Sequence, residues 1–294
     1  LDAYFITGRG AGLSTKDNQL KLIRSVFALH LNRAALDLKS SELQLSLDKH
    51  GAKVSAARAA GYLTPALKWA QRRDLIVGDF TLEKPLQDEP KQRFLTEVEL
   101  VALLPTLKIH HGLCAKFMLL TAPRISEATA ATWSQIDLET KTWEIPAENI
   151  KDTRTLNARR KKPKQGFIIP LSLQASQLVI EARNAEIARR QLNGLPERIQ
   201  QQDLLFVGPR GAKLGNWDRW LKATTLKTGV AGWSAHALRR TSATLAGDLG
   251  APPHIVSIIL GHSNVGGQLV AGYNQSKYRS EHKEILQIVA DKLE

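Results

Sequence analysis

Apolar residues recur three or four positions apart through the first eighty residues of the chain. Leu20, Ile23, Phe27 and Leu31 fall on one side of a 3.6-residue repeat, which is how a helix buries a stripe. The pattern predicts a helix over residues 14–35, with Ser14, Thr15 and Asp17 as cap-type residues at its start. Ser40, Ser41 and Glu42 open another. Two more helices are expected over 53–60 and 64–73, the second with Pro65 in its first turn, and Gly78 ends the regular pattern. No strand-like alternation occurs here, so residues 1–82 read as a small all-helical domain. Residues 83–93 are charged, hold Pro85 and Pro90 and show no period, which is linker composition.

The pattern changes in residues 94–294. Thr96-Glu97-Val98-Glu99 looks like a helix start with carboxylates in the first turn. An apolar helix over 114–121 leads into Ala122-Pro123-Arg124-Ile125-Ser126-Glu127. Residues 143–145 and 167–169 read as two short strands, separated by a basic insertion over 151–166. Helices follow over about 173–191, 217–228, 236–249, 253–260 and 280–293. The fold class expected is mainly α with a small β-sheet, in a helical domain plus a mixed α/β domain.

Composition narrows the partners. The chain has 294 residues, a length that suits two domains, and 43% of them are hydrophobic, enough for real cores. Lysine and arginine number 41 against 28 acidic residues, a formal charge of +13. Such an excess favours a polyanion, nucleic acid before an anionic membrane surface. The lone cysteine, Cys114, excludes a disulfide framework and a cysteine-rich zinc site. No apolar run is long enough to span a membrane, and no signal peptide is visible. The chain begins at Leu1 and holds one methionine, Met118, which reads as a piece trimmed from a longer protein.

Three segments of the second part carry candidate chemistry. Arg124, at a helix beginning beside free backbone N–H groups, can bind a phosphate oxygen, and Glu127 three residues on can fix its guanidinium. An ordinary surface ion pair is the alternative. His236 and Arg239, spaced i and i+3, share a helix face and would aim an imidazole and a guanidinium at one point. A solvated basic face is the alternative there. Leu260-Gly261-His262-Ser263 places His262 just past a helix stop, and Tyr273 follows in Gly272-Tyr273-Asn274. I each case the segment alone is inconclusive.

In this order, Arg, His-x-x-Arg, Leu-Gly-His and Tyr, the elements resemble the tyrosine recombinase (phage integrase) family, in its prophage and genomic-island branch. The resemblance covers residues 94–294. Residues 1–82 are consistent with that family's helical core-binding, DNA-binding domain. The resemblance implies that Tyr273 attacks the scissile phosphate, Arg124 and Arg239 clamp its non-bridging oxygens, His236 helps take the tyrosine proton, and His262 hydrogen-bonds the phosphate. Tyr278 is a rival nucleophile, but Tyr273 lies 11 residues after His262, close to the family interval. A hairpin lysine would protonate the leaving 5′-oxygen. Lys151 stands where this branch puts it, while Lys161, Lys162 and Lys164 remain open. Arg159, Arg160 and those three lysines suit a loop that binds the DNA backbone, with Arg240 a further contact.

The implied product is a 3′-phosphotyrosine link and a free 5′-hydroxyl, formed without metal or other cofactor. Two permanently charged guanidiniums would meet the charge of the transition state, and nearby cations would lower the tyrosine pKa from about 10. The resemblance further implies double-stranded DNA as partner, a homo-tetramer on DNA with exchange of the C-terminal helix, and excisionase or DNA-bending accessory proteins, in a bacterial cytoplasm or encoded by a prophage. No membrane role is expected. A topoisomerase of type IB and a non-catalytic DNA-binding protein are the alternative readings. The family's usual N-terminal arm-binding domain has no counterpart in the sequence.

Overall fold

The structure, a computed structural model, describes residues 1–294 apart from 9, 11–12, 14, 87–91, 151–165 and 262–278. The chain divides into two compact units, Leu1–Lys91 and Gln92–Glu294, each with its own apolar core.

Unit 1 is helical among its described residues: α1 (Asp2–Thr7), α2 (Lys16–Val26), α3 (Ser40–Lys49) and α4 (Lys53–Gln71). Phe5, Ile23, Phe27 and Leu47 are buried against the alanines of α4, of which Ala56, Ala59 and Ala60 are at most 1% exposed. The small side chains let neighbouring helices approach closely. Two expectations are corrected. The helices expected over 53–60 and 64–73 are one, and Pro65 sits inside it. Proline removes only its own N–H bond and strains the turn before it. Buried alanines on both sides, the best helix formers, carry the helix through. The helix expected to reach residue 35 ends at Val26, and a tight turn over Ala28–His30 follows. Phe27 stays in the core, but the tighter winding brings Leu31 out to 40% exposure.

Unit 2 begins with α5 (Glu97–Leu103), where Thr96 and Glu99 cap reciprocally: the Thr96 N–H donates to Glu99 Oε2 at 2.9 Å and the Glu99 N–H to Thr96 Oγ1 at 3.4 Å. Then come α6 (His111–Thr121), α7 (Ile125–Thr129), β1 (Ile136–Asp137), β2 (Thr142–Ile145), β3 (Phe167–Pro170), α8 (Leu173–Leu192), α9 (Trp217–Thr228), α10 (Ala235–Asp248), α11 (Pro253–Ile259) and α12 (Arg279–Lys292). The strands form an antiparallel sheet in the order β1-β2-β3. Two strands were expected; the third, β1, pairs only Ile136 with Trp143 and Asp137 with Thr142, too short to show alternation.

The fold is mainly helical with a small sheet, as the periodicity predicts. Helix α6 is its axis, buried nearly all round and packed on α8 and α10. Trp143 of β2 lies against Phe117 of α6, ring centroids 5.1 Å apart. In the single chain α12 packs on its own body, with Leu286, Val289 and Ala290 fully buried. Gln287 accepts the Leu173 N–H at 2.9 Å, and Lys292 pairs with Glu97 at 2.8 Å. Among the described residues no helix is long and apolar enough to cross a membrane.

Candidate active site

The site is built where three helix ends meet. Helix α6 stops at Ala122, which adopts a left-handed backbone with φ of 50° although it is not glycine. Pro123 turns the chain, and Arg124 caps α7. Glu127, one turn into α7 and only 5% exposed, holds Arg124 twice. Its Oε2 accepts the Arg124 backbone N–H at 2.7 Å and its Oε1 accepts the guanidinium at 2.9 Å. Backbone and side chain of Arg124 are thus fixed by one carboxylate, as charge-assisted bonds favour.

The second arginine comes from α10. Ser234 caps that helix, its hydroxyl accepting the Ala237 N–H at 3.3 Å. His236 lies exposed in the first turn, and Arg239 follows one turn later, 5% exposed. Arg239 Nη1 donates to the Ala122 carbonyl at 2.5 Å, and Nη2 donates to the Leu260 carbonyl at the end of α11. One buried fork therefore ties the end of α6 to the end of α11. Burial, reinforced by the charge of Arg124 and opposed by Glu127, pulls the Arg239 pKa down to about 10. At neutral pH it remains a cation.

Arg124, Glu127 and Arg239 line a single small cavity, together with Ile150, Phe167 and Gly261. Ile150 and Gly261 immediately precede Lys151 and His262 in the chain. His236 has a pKa below the usual histidine value, through loss of hydration first and then the charges of Arg240, Arg239 and Arg124. A neutral imidazole beside two guanidiniums can accept a proton. Such a set has the chemistry to bind an anion, stabilise added negative charge and take a proton.

Arg124, Glu127, His236 and Arg239 are thus brought together, and partly buried Arg240 lies near enough to act on His236. Tyr273, His262, Lys151, Arg159, Arg160, Lys161, Lys162 and Lys164 lie outside the described residues. Sequence reasoning did not anticipate the backbone carbonyls of Ala122 and Leu260 as partners of Arg239, nor His282. That histidine, on α12, is 2% exposed and stacks on the cavity residue Phe167, ring centroids 6.1 Å apart. No side-chain pattern could have signalled the carbonyls; the helical period of α12 could have marked His282 as inward-facing.

Residues 93–279 match the model of the phage integrase family. The chain belongs to that family. Among curated proteins it is similar to the prophage integrase IntA of Escherichia coli strain K12, 26% identical over 176 residues, which are 60% of this chain. The chain spans only 37% of the length of that relative. Integrases of known structure share the fold. An integrase of the transposon Tn1549, in complex with circular intermediate DNA, aligns over 97% of this chain and 98% of its own, at 19% identity and a TM-score of 0.65. A lambda integrase dimer bound to a core site aligns over 95% of this chain and 94% of its own, at 16% identity and a TM-score of 0.66.

Proposed function

We propose that this chain is a site-specific DNA recombinase that cuts and rejoins strands through a 3′-phosphotyrosine intermediate, serving integration and excision of a mobile element. The observation that carries the reading is the single cavity shared by Arg124 and Arg239, with the residues before Lys151 and His262 in its wall. In this scheme the Tyr273 phenol oxygen attacks the scissile phosphorus while its proton passes towards neutral His236. The bond from phosphorus to the 5′-oxygen breaks, and Lys151 gives that oxygen a proton. Arg124, Arg239 and His262 hold the phosphate oxygens, and Glu127 orients Arg124. Reversal by another 5′-hydroxyl reseals the strand, because the phosphotyrosine bond conserves the phosphodiester energy.

Unit 1 would serve as core-binding domain, and Arg159, Arg160, Lys161, Lys162, Lys164 and Arg240 would contact the DNA backbone. Two duplexes and four cuts call for four copies of the chain, assembled on DNA in the cytoplasm. The matched relative is named a prophage integrase, and the Tn1549 and lambda structures are of integrases bound to DNA. Both support the reading. Its test is covalent capture on a library of suicide duplexes with a randomised core. The wild-type protein becomes attached to DNA, and Tyr273→Phe does not while still binding; an adduct with the phenylalanine variant refutes the nucleophile assignment.

A further inference from the structure

Helix α12 turns one stripe inward. His282, Leu286 and Val289 fall at i, i+4 and i+7 along it, and all three are buried, His282 to 2% exposure. The helix packs on α10, α11 and β3. An imidazole is a costly residue for that row. Its Nε2 is buried and has no hydrogen-bond partner among the described residues. An unsatisfied polar atom destabilises a core where leucine would not.

The contacts of His282 give the imidazole a purpose. Its ring stacks on Phe167 of β3, centroids 6.1 Å apart and 25° between planes. Phe167 is half-buried and forms part of the wall of the cavity that holds Arg124 and Arg239. The same phenyl ring meets the turn that ends α11. Its Cε1, Cδ1 and Cζ atoms lie 3.6, 3.8 and 3.9 Å from where a Cβ of Gly261 would stand. That turn has two further holds: the Gly261 N–H donates to the Ile258 carbonyl at 2.7 Å, and Arg239 Nη2 donates to the Leu260 carbonyl. A line of contact therefore runs from His282, through Phe167, to the Leu260–Gly261 peptide, whose carbonyl anchors one arm of Arg239.

We infer that His282 is a positioning residue for the phosphate site: its flat ring backs Phe167, Phe167 props the Leu260–Gly261 turn, and the turn fixes the Arg239 guanidinium. This rests on the recombinase reading, in which Arg239 clamps the scissile phosphate. Stacked rings keep a preferred separation and tilt, so His282 sets where the Phe167 ring stands. A branched aliphatic chain fills the same space without setting that geometry. The precision matters because a misplacement of about 1 Å can cost on the order of 100-fold in rate.

The test is a double-mutant cycle in the full chain, with His282→Leu, Phe167→Leu and both together. Val289→Ala is the packing control, on the same buried face but roughly 10 Å along the helix. Three quantities are measured: single-turnover cleavage of a suicide duplex selected from the randomised library, affinity for that duplex, and the melting temperature. His282→Leu should cleave about tenfold more slowly or worse, with duplex affinity kept and a melting temperature at neutral pH no lower than wild type. The double variant should be no slower than the slower single variant, because both break one strut. Val289→Ala should melt lower yet cleave at the wild-type rate while folded. Wild-type cleavage by His282→Leu, losses that multiply in the double variant, or equal slowing by Val289→Ala would each overturn the inference. Hydrogen exchange of amides 258–261 reads the strut without any reaction. It should quicken in His282→Leu and stay unchanged in Val289→Ala. Where no duplex captures the wild-type protein, the recombinase reading fails, and exchange alone decides the strut: unchanged protection in His282→Leu refutes it.

Discussion

Arg239→Lys and Arg124→Lys keep the charge at both positions, yet the structure separates their effects. Arg239 bridges two backbone carbonyls, those of Ala122 and Leu260, in a place where Ala122 is fully buried. A lysine carries one ammonium on a flexible stem and cannot reproduce a fork across two elements. One carbonyl is left without a donor, at a cost of about 1–3 kcal/mol. For a unit of this size, about 2 kcal/mol lowers the melting temperature by roughly 4–8 °C. Arg124, whose side chain is 24% exposed, is held by Glu127, which a lysine can still pair with. Its substitution costs about 0–1 kcal/mol. Both variants lose a planar donor pair for the phosphate, so both should cleave suicide DNA at least about 100-fold more slowly, the scale set by the loss of one oxyanion donor. The assay is thermal unfolding without DNA alongside single-turnover cleavage. Equal melting temperatures for the two variants would refute the idea that Arg239 ties α6 to α11.

Three further outcomes follow from the same geometry. Gly261→Ala places a Cβ at an ordinary 3.6 Å from the Phe167 ring but in a backbone with φ of 57°; strain alone should cost about 1 kcal/mol by urea unfolding. Because His236 must be neutral to accept a proton and its pKa lies below the ordinary value, the cleavage rate should fall on acidification only beneath pH 6.5, the acid limb moving up when Arg240 is replaced by glutamine. Burial pushes His282 down to about 4 from 6.5, so the unfolded chain takes up a proton between those values that the folded chain refuses. Stability is therefore full above pH 6.5 and falls by up to about 3 kcal/mol towards pH 4, a slope that His282→Leu should flatten in pH-dependent melting curves.

Much of this arrangement was legible because its parts are local. The i and i+3 spacing of His236 and Arg239 needs only a helix, and the helix expected from residue 236 begins at Ala235, behind a Ser234 cap. Arg124 and Glu127 are likewise neighbours on one short helix. What was not legible depends on distance and backbone. Ala122 lies 117 residues from Arg239, and a carbonyl looks alike at every position. Pro65 reads as a boundary until the buried alanines around it are known to hold one continuous helix. Leu31 matches the apolar period of α2 but falls in the chain beyond its end. The apolar positions of α12 are as real as they look in the sequence, yet periodicity cannot say whose surface they cover; the single chain buries them on itself.

The cost of assembling the site tells how it would work. Arg239 is held at a pKa of about 10, against 12.5 for a free guanidinium, first by burial and then by Arg124. Roughly 3 kcal/mol of protonation free energy is thus forfeited where Arg239 stands. Glu127 offsets part of it but is already committed to Arg124. In the proposed reaction an arriving phosphodiester would supply the missing negative charge without any rearrangement of the arginines, whose positions are fixed by carbonyls and a carboxylate. In that reaction the compensation would grow as charge builds on the non-bridging oxygens, so the fixed pair of cations would favour the transition state over the bound ground state. Loosening the clamp should therefore slow cleavage far more than it weakens DNA binding, which is the behaviour a site built only for tight DNA binding would not show.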